Sequence, residues 1–126
     1  MSNLVLIDTS SWIQALRRNG DVEIRQRVEN LLGDDAAAWC EMVRLELWRG
    51  VRGAAEQQRL IAMDQSIRRI PINTDVWQAS CDLGLRARRA GLQIPSPDIL
   101  IFACAQTHGI PLEHADRHYD LLAAMK

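Results

Sequence analysis

The sequence predicts an α/β domain built on a short parallel sheet, and three observations carry that expectation. Leu4-Val5-Leu6-Ile7 is a compact apolar run without alternation, as suits a strand buried on both faces, and it stops on Asp8 followed by Thr9-Ser10-Ser11. Later short apolar runs are separated by stretches with helical periodicity, so strands alternate with helices and lie parallel, with right-handed crossovers. Ile99 to Ala105 is apolar all round, which predicts a central helix covered on most sides.

Length and composition bound the rest. A chain of 126 residues suffices for one domain, residues 1–126, with a real core; 48% hydrophobic and 25% charged residues suit a soluble globular protein. No run approaches the roughly 20 apolar residues of a membrane span, and Met1-Ser2-Asn3 lacks the basic start of a secretion signal. A cytoplasmic protein without membrane contacts is expected. Cys40, Cys81 and Cys104 are scattered and form no C-x-x-C pair, which argues against a disulfide framework and a zinc knuckle.

Net charge is −1, so the molecule as a whole does not attract nucleic acid. Of its 15 basic residues 14 are Arg, a bias that codon usage explains. Polyanion contacts would have to come from local clusters: Arg17-Arg18, Arg44/Arg49/Arg52 or Arg86/Arg88/Arg89.

In chain order, Thr9, Ser10 and Ser11 can cap a first helix whose apolar positions are Trp12, Ile13 and Leu16. Asn19-Gly20-Asp21 reads as a turn with an N-cap, and Val22 to Leu32 as an amphipathic helix through Val22, Arg25, Val28 and Leu32, closed by Gly33-Asp34-Asp35. Ala36 to Cys40 is a second strand, weakened by three alanines. Glu41 to Arg52 is the next helix, with Leu45 and Trp48 on one stripe and Glu46 off it. Ala54 to Ser66 follows as a helix through Leu60, Ile61 and Met63, and Ile67 to Ile72 as an edge strand that tolerates Pro71.

Thr74 caps a helix from Asp75 to Ala90 with Val76, Trp77, Leu83 and Leu85 as its apolar side, ended by Gly91. Ser96 as N-cap, Pro97 at the first helical position and Asp98 in the first turn open the central helix, and His108-Gly109 stops it. Ile110 to Glu113 leads into a short strand, with a loop and helical turn at Asp116 to Asp120 and an apolar tail from Leu121 to Met125.

Four acids then fall on one edge of such a sheet: Asp8 after the first strand, Glu46 on the helix after the second, Asp98 opening the buried helix and Asp116 after the last strand. Each has an ordinary structural reading. Asp8 can cap a helix, Asp116 can cap a turn, Asp98 can complement a helix dipole, and Glu46 can pair with Arg49. Together those readings weaken, because four unpaired carboxylates with no Lys among them repel one another unless a cation neutralises them. All-oxygen ligands select Mg²⁺ or Mn²⁺ over zinc, and the chemistry implied is metal-dependent phosphodiester hydrolysis.

Leu6-Ile7-Asp8-Thr9-Ser10-Ser11-Trp12-Ile13, Leu45-Glu46-Leu47-Trp48-Arg49-Gly50, Pro95-Ser96-Pro97-Asp98-Ile99-Leu100-Ile101 and Asp116-Arg117-His118-Tyr119 together resemble the motifs of PIN-domain ribonucleases, and more narrowly the VapC toxins of toxin–antitoxin pairs. The likeness runs in order over nearly the whole chain. It implies a three-layer α/β/α fold with a parallel sheet of four to five strands, and Mg²⁺-dependent endoribonuclease activity. It makes Asp8 and Asp98 the principal metal ligands, Glu46 and Asp116 the residues that complete the site partly through waters, and Ser10 a neighbour that orients a carboxylate. His114 stands where the family usually has Thr or Ser, two residues before the fourth acid.

The resemblance also implies an RNA substrate, a homodimer and a cognate antitoxin that wraps an apolar groove and points a basic side chain at the acids. Trp12, Leu16, Leu45 and Trp48 are the sequence's candidates for that groove. The alternative is a catalytically weak PIN-like module that acts as a scaffold or co-repressor with its antitoxin. His114 and His118, four apart, offer a zinc pair that lacks a third ligand nearby. A phosphoryl-transfer receiver would need a second acid near Asp8 and a late Lys; a haloacid-dehalogenase-type phosphatase would need Asp in place of Ser10. No G-x-x-x-x-G-K-[ST] or G-x-G-x-x-G occurs.

Overall fold

β1 (Val5–Ile7) runs through the middle of the sheet, which is why its residues are apolar on both faces: Leu6 and Ile7 are fully buried. The computed structural model describes residues 3–125. After β1 come α1 (Thr9–Leu16), α2 (Val22–Gly33), β2 (Ala37–Trp39), α3 (Glu41–Arg49) and α4 (Ala54–Ser66). Then follow β3 (Arg68–Arg69), α5 (Thr74–Arg89), α6 (Ser96–Thr107), β4 (Leu112–Glu113) and α7 (Arg117–Ala124). The strands are all parallel in the order β3-β2-β1-β4, with Leu6 opposite Ala38 on one side and Leu112 on the other. Helices flank this sheet, giving the three-layer α/β/α arrangement.

The order reverses direction at β1, between β2 and β4, which opens a crevice at the carboxyl ends of β1 and β4. The Asp8 amide donates to the Glu113 carbonyl (2.8 Å), so the last residue before α1 is still tied to β4. Ser11, fully buried, donates to Glu113 Oε2 (2.9 Å), and Arg27 of α2 forms an ion pair with the same carboxylate (2.8 Å). Gly20 is required where α1 turns toward α2, because a Cβ there would overlap the Gln14 carbonyl.

β2 is alanine-rich and so poor in bulk but not in burial: Ala38 and Trp39 are fully covered. Trp39 packs against Trp12 of α1 with ring centroids 6.2 Å apart, so the indoles supply the volume the alanines lack. α6 is buried from Leu100 to Ala105, as its all-round apolar sequence predicts. β3 lies at the sheet edge, where Pro71 just beyond it interrupts no ladder.

Several local expectations are corrected. Asp8, not the hydroxyls after it, is the N-cap of α1; Asn73, not Thr74, caps α5; and Pro95 precedes α6, with Ser96 already inside the helix. α3 stops at Arg49 because Gly50 takes the C-cap. α2 packs through Ile24, Val28 and Leu31, leaving Val22 and Leu32 exposed; Trp77 and Leu85 likewise point outward from α5. The apolar tail is helical, part of α7, with Tyr119 and Leu122 buried.

Candidate active site

Both ends of the site begin as helix caps. Asp8 Oδ2 accepts from the Ser10 amide (3.0 Å) and Asp116 Oδ1 from the His118 amide (2.9 Å), so the capping reading of each acid is geometrically true. Neither carboxylate is confined to that duty. Asp8 Oδ2 also accepts from Ser10 Oγ (2.6 Å), and its Oδ1 from the Tyr119 hydroxyl (2.6 Å). Ser10 Oγ in turn accepts from the Ala115 amide (2.9 Å), which pins the loop between β4 and α7 against the start of α1.

The other acids join through neighbouring donors. Glu46 Oε1 accepts from Thr9 Oγ1 (2.6 Å). Tyr119 Oη reaches Asp98 Oδ1 at 3.4 Å, and His118 Nδ1 lies 2.8 Å from Asp98 Oδ2 and 3.2 Å from Asp116 Oδ1. A chain of contacts thus runs Glu46–Thr9, Asp8–Tyr119–Asp98 and Asp98–His118–Asp116, bringing all four acids to the carboxyl edge. The expectation that they are unpaired is corrected: hydroxyls and an imidazole, not lysines, serve them. Among the described residues Glu46 has no ion pair with Arg49.

Electrostatics follow from this crowding. Burial holds the Glu46 and Asp98 carboxyls above their ordinary range; the neighbouring charges of Asp8 and Asp98 on the first, and of Asp116 and Asp8 on the second, add to that, while Thr9 and His118 oppose it. Burial also pushes the Tyr119 phenol far up, reinforced by Asp8, so it remains a proton donor to that carboxylate. The donor set fits a hard divalent cation: oxygens from four carboxylates, like-charged and partly desolvated. Asp98, Asp116 and His118 each offer a ligand atom within 4.8 Å of the others.

His114 lies outside that group: its Nδ1 receives the Asp116 amide at 3.3 Å and its ring leans on Tyr119. The sequence offers Thr9 only as a helix cap, His118 only as half of a zinc pair and Tyr119 only within its motif; their service to the acids escaped that reading. The spacing held a signal for one of them: Tyr119 follows Asp116 by three residues, one helical turn, and so faces the same rim.

The groove candidates separate. Trp12 is 1% exposed and belongs to the core. Leu45 is exposed, and Trp48 is half-buried with the Arg44 guanidinium 6.0 Å from its ring centre. Only Leu16 lines the cavity of about 370 Å³ between α1, α3 and α4, where Ile13, Leu47 and Leu60 form the apolar surface. Glu46 forms part of its wall, and Arg17, Arg18, Arg52 and Arg59 surround it.

Fold and rim together define a class: a three-layer α/β/α domain with an acidic pocket at the carboxyl edge of its parallel sheet. The family model of the PIN domain matches residues 5–124. Ribonuclease VapC11 of Mycobacterium tuberculosis is 32% identical over 127 residues, covering 95% of this chain and 92% of that protein. The structure of FitAcB from Neisseria gonorrhoeae superposes with a TM-score of 0.76 at 20% identity, covering 95% of this chain and 93% of the other. VapBC-5 from Mycobacterium tuberculosis, a member of the VapBC family of toxin–antitoxin systems, gives 0.68 at 17%, covering 97% and 92%. This chain belongs to the PIN domain family, alongside the VapC ribonucleases.

Proposed function

We propose that this chain is a Mg²⁺-dependent endoribonuclease, the toxin of a toxin–antitoxin pair acting in the cytoplasm, with Mn²⁺ an acceptable substitute. The observation that carries the reading is the gathering of the four acids at the carboxyl edge of β1 and β4: Asp8, Asp98 and Asp116 are linked through Tyr119 and His118, and Glu46 is held by Thr9, the residue next to Asp8. Asp8 and Asp98 would hold the ion, with Glu46 and Asp116 completing the site. A bound divalent cation supplies charge stabilisation at a leaving phosphate oxygen and acidifies water.

The chain's own residues do the rest. Ser10 and Tyr119 fix the Asp8 carboxylate from two sides, so its orientation does not depend on substrate. Glu46, its carboxyl held up by burial and by Asp8, is a better proton acceptor than an ordinary glutamate for a water beside the scissile phosphate. Thr9 holds that carboxylate by one oxygen.

The arginine-rimmed cavity beside Glu46 is the seat for the antitoxin: an apolar segment with acidic side chains toward Arg17, Arg18, Arg52 and Arg59 and one basic side chain toward the carboxylates. A homodimer accords with the outward stripe of α5, where Trp77 and Leu85 are 54% and 49% exposed. Cleavage of RNA by the purified chain should require Mg²⁺ or Mn²⁺, stop with EDTA, and vanish in Asp98→Asn with the melting temperature retained. Full cleavage by that variant, or indifference to EDTA, overturns the reading.

A further inference from the structure

The four acids are not equally available. Both oxygens of Asp8 are engaged, Oδ2 by Ser10 twice and Oδ1 by Tyr119, and Thr9 holds Glu46 Oε1. On the other side of the rim Asp98 and Asp116 converge on one imidazole nitrogen, His118 Nδ1, at 2.8 and 3.2 Å. The three offer one nitrogen and two oxygens within 4.8 Å of one another. His118 is also locked to Asp116 by the cap itself, since its amide donates to Asp116 Oδ1 (2.9 Å), and the next residue, Tyr119, is buried. The imidazole is therefore carried by an anchored first turn, not by a loose loop.

We propose that His118 is a direct ligand of the divalent cation, through Nδ1, and that it biases the site toward Mn²⁺ and the later first-row ions over Mg²⁺. The inference rests on the carboxylate-site reading above and concerns which ion that site prefers. In the ion-free protein Nδ1–H satisfies Asp98 and Asp116; with an ion bound, the proton of the neutral imidazole resides on Nε2 and the Nδ1 lone pair faces the metal. The Nδ1 proton moves to Nε2 or, where Nε2 already carries one, leaves to solvent. Imidazole nitrogen adds little for Mg²⁺, which favours oxygen and water, but adds affinity along the series from Mn²⁺ to Co²⁺ and Zn²⁺. A His serving only as a hydrogen-bond donor would instead turn aside when the ion arrives.

Pulsed electron paramagnetic resonance of Mn²⁺ bound to the intact chain separates the two, because a coordinated imidazole gives a ¹⁴N coupling. That coupling should be present in the wild type and absent in His118→Gln. Calorimetric titration with Mn²⁺ and Mg²⁺ should show the ratio of their affinities falling about tenfold in His118→Gln, with Mg²⁺ binding little changed. Absence of the coupling in the Mn²⁺-loaded wild type overturns the assignment, and needs no folded variant. So does an unchanged ratio in His118→Gln; if Mg²⁺ still binds and is lost in Asp98→Asn, the carboxylate site itself stands. Metal binding by Asp98→Asn equal to the wild type overturns both.

Discussion

Glu46 and Asp98 show how a single carboxyl couples metal binding to stability. Both are held above their ordinary range, first by burial. Their ionised forms therefore cost the ion-free fold stability at neutral pH, and that cost disappears as pH falls through the raised values. Asp64 works in the opposite sense. Arg44 at 2.8 Å holds it low, so its contribution is present above its unfolded value and lost only in stronger acid. The melting temperature of the ion-free protein should accordingly rise from neutral pH toward about 5 and then decline. Over the same interval Mg²⁺ affinity should fall, since protons compete for the same oxygens. Calorimetry across that range checks both slopes. Glu46→Gln keeps an acceptor for Thr9 and removes the charge, so it should raise the ion-free melting temperature while weakening Mg²⁺ binding.

At the scale of the element, caps and ligands share residues. Asp116 is the N-cap of α7 and a member of the acidic rim. Asn caps as well as Asp, whereas Ala does not cap. Asp116→Asn should therefore keep the thermal stability and lose metal affinity, and Asp116→Ala should lose both, with about 1 kcal/mol taken from folding. Thermal melts paired with metal titration distinguish the two. This sharing also explains what the sequence made legible. Asp8, Asp98 and Asp116 stood out because each follows an apolar strand or opens an apolar helix, Glu46 because its helix follows the second strand, and the parallel sheet follows from the alternation of strands with helices. The donors that serve them were hidden because a hydroxyl or imidazole looks ordinary until its helix is docked: Thr9 meets Glu46 across 37 positions, and Tyr119 meets Asp8 across 111. Helix faces were misjudged where large apolar groups point to solvent, as at Trp77 and Leu85, because hydrophobicity alone does not say which side of α5 meets α6.

For the whole molecule, two tryptophans mark opposite extremes of burial. Trp12 is sealed beneath the site, and Trp12→Ala should cost about 3–5 kcal/mol of stability, read as a lower urea midpoint. Trp77 stands on the outer face of α5 in line with Leu85, one stripe at i and i+8. Replacing both by Glu should leave the fold intact and, on the homodimer proposed above, give a monomer in sedimentation where the unaltered chain gives a dimer. An unchanged dimer would move the self-association face elsewhere.

The bond from the Ala115 amide to Ser10 Oγ, and that from the Tyr119 hydroxyl to Asp8, span 105 and 111 positions of the chain. Such contacts form late, since closing so long a stretch costs entropy that local helices do not. During synthesis Asp8 and Glu46 emerge well before the segment that orients and completes their edge. A nascent chain thus holds its first carboxylates long before it holds a working constellation, and the delay is written into the order of the strands.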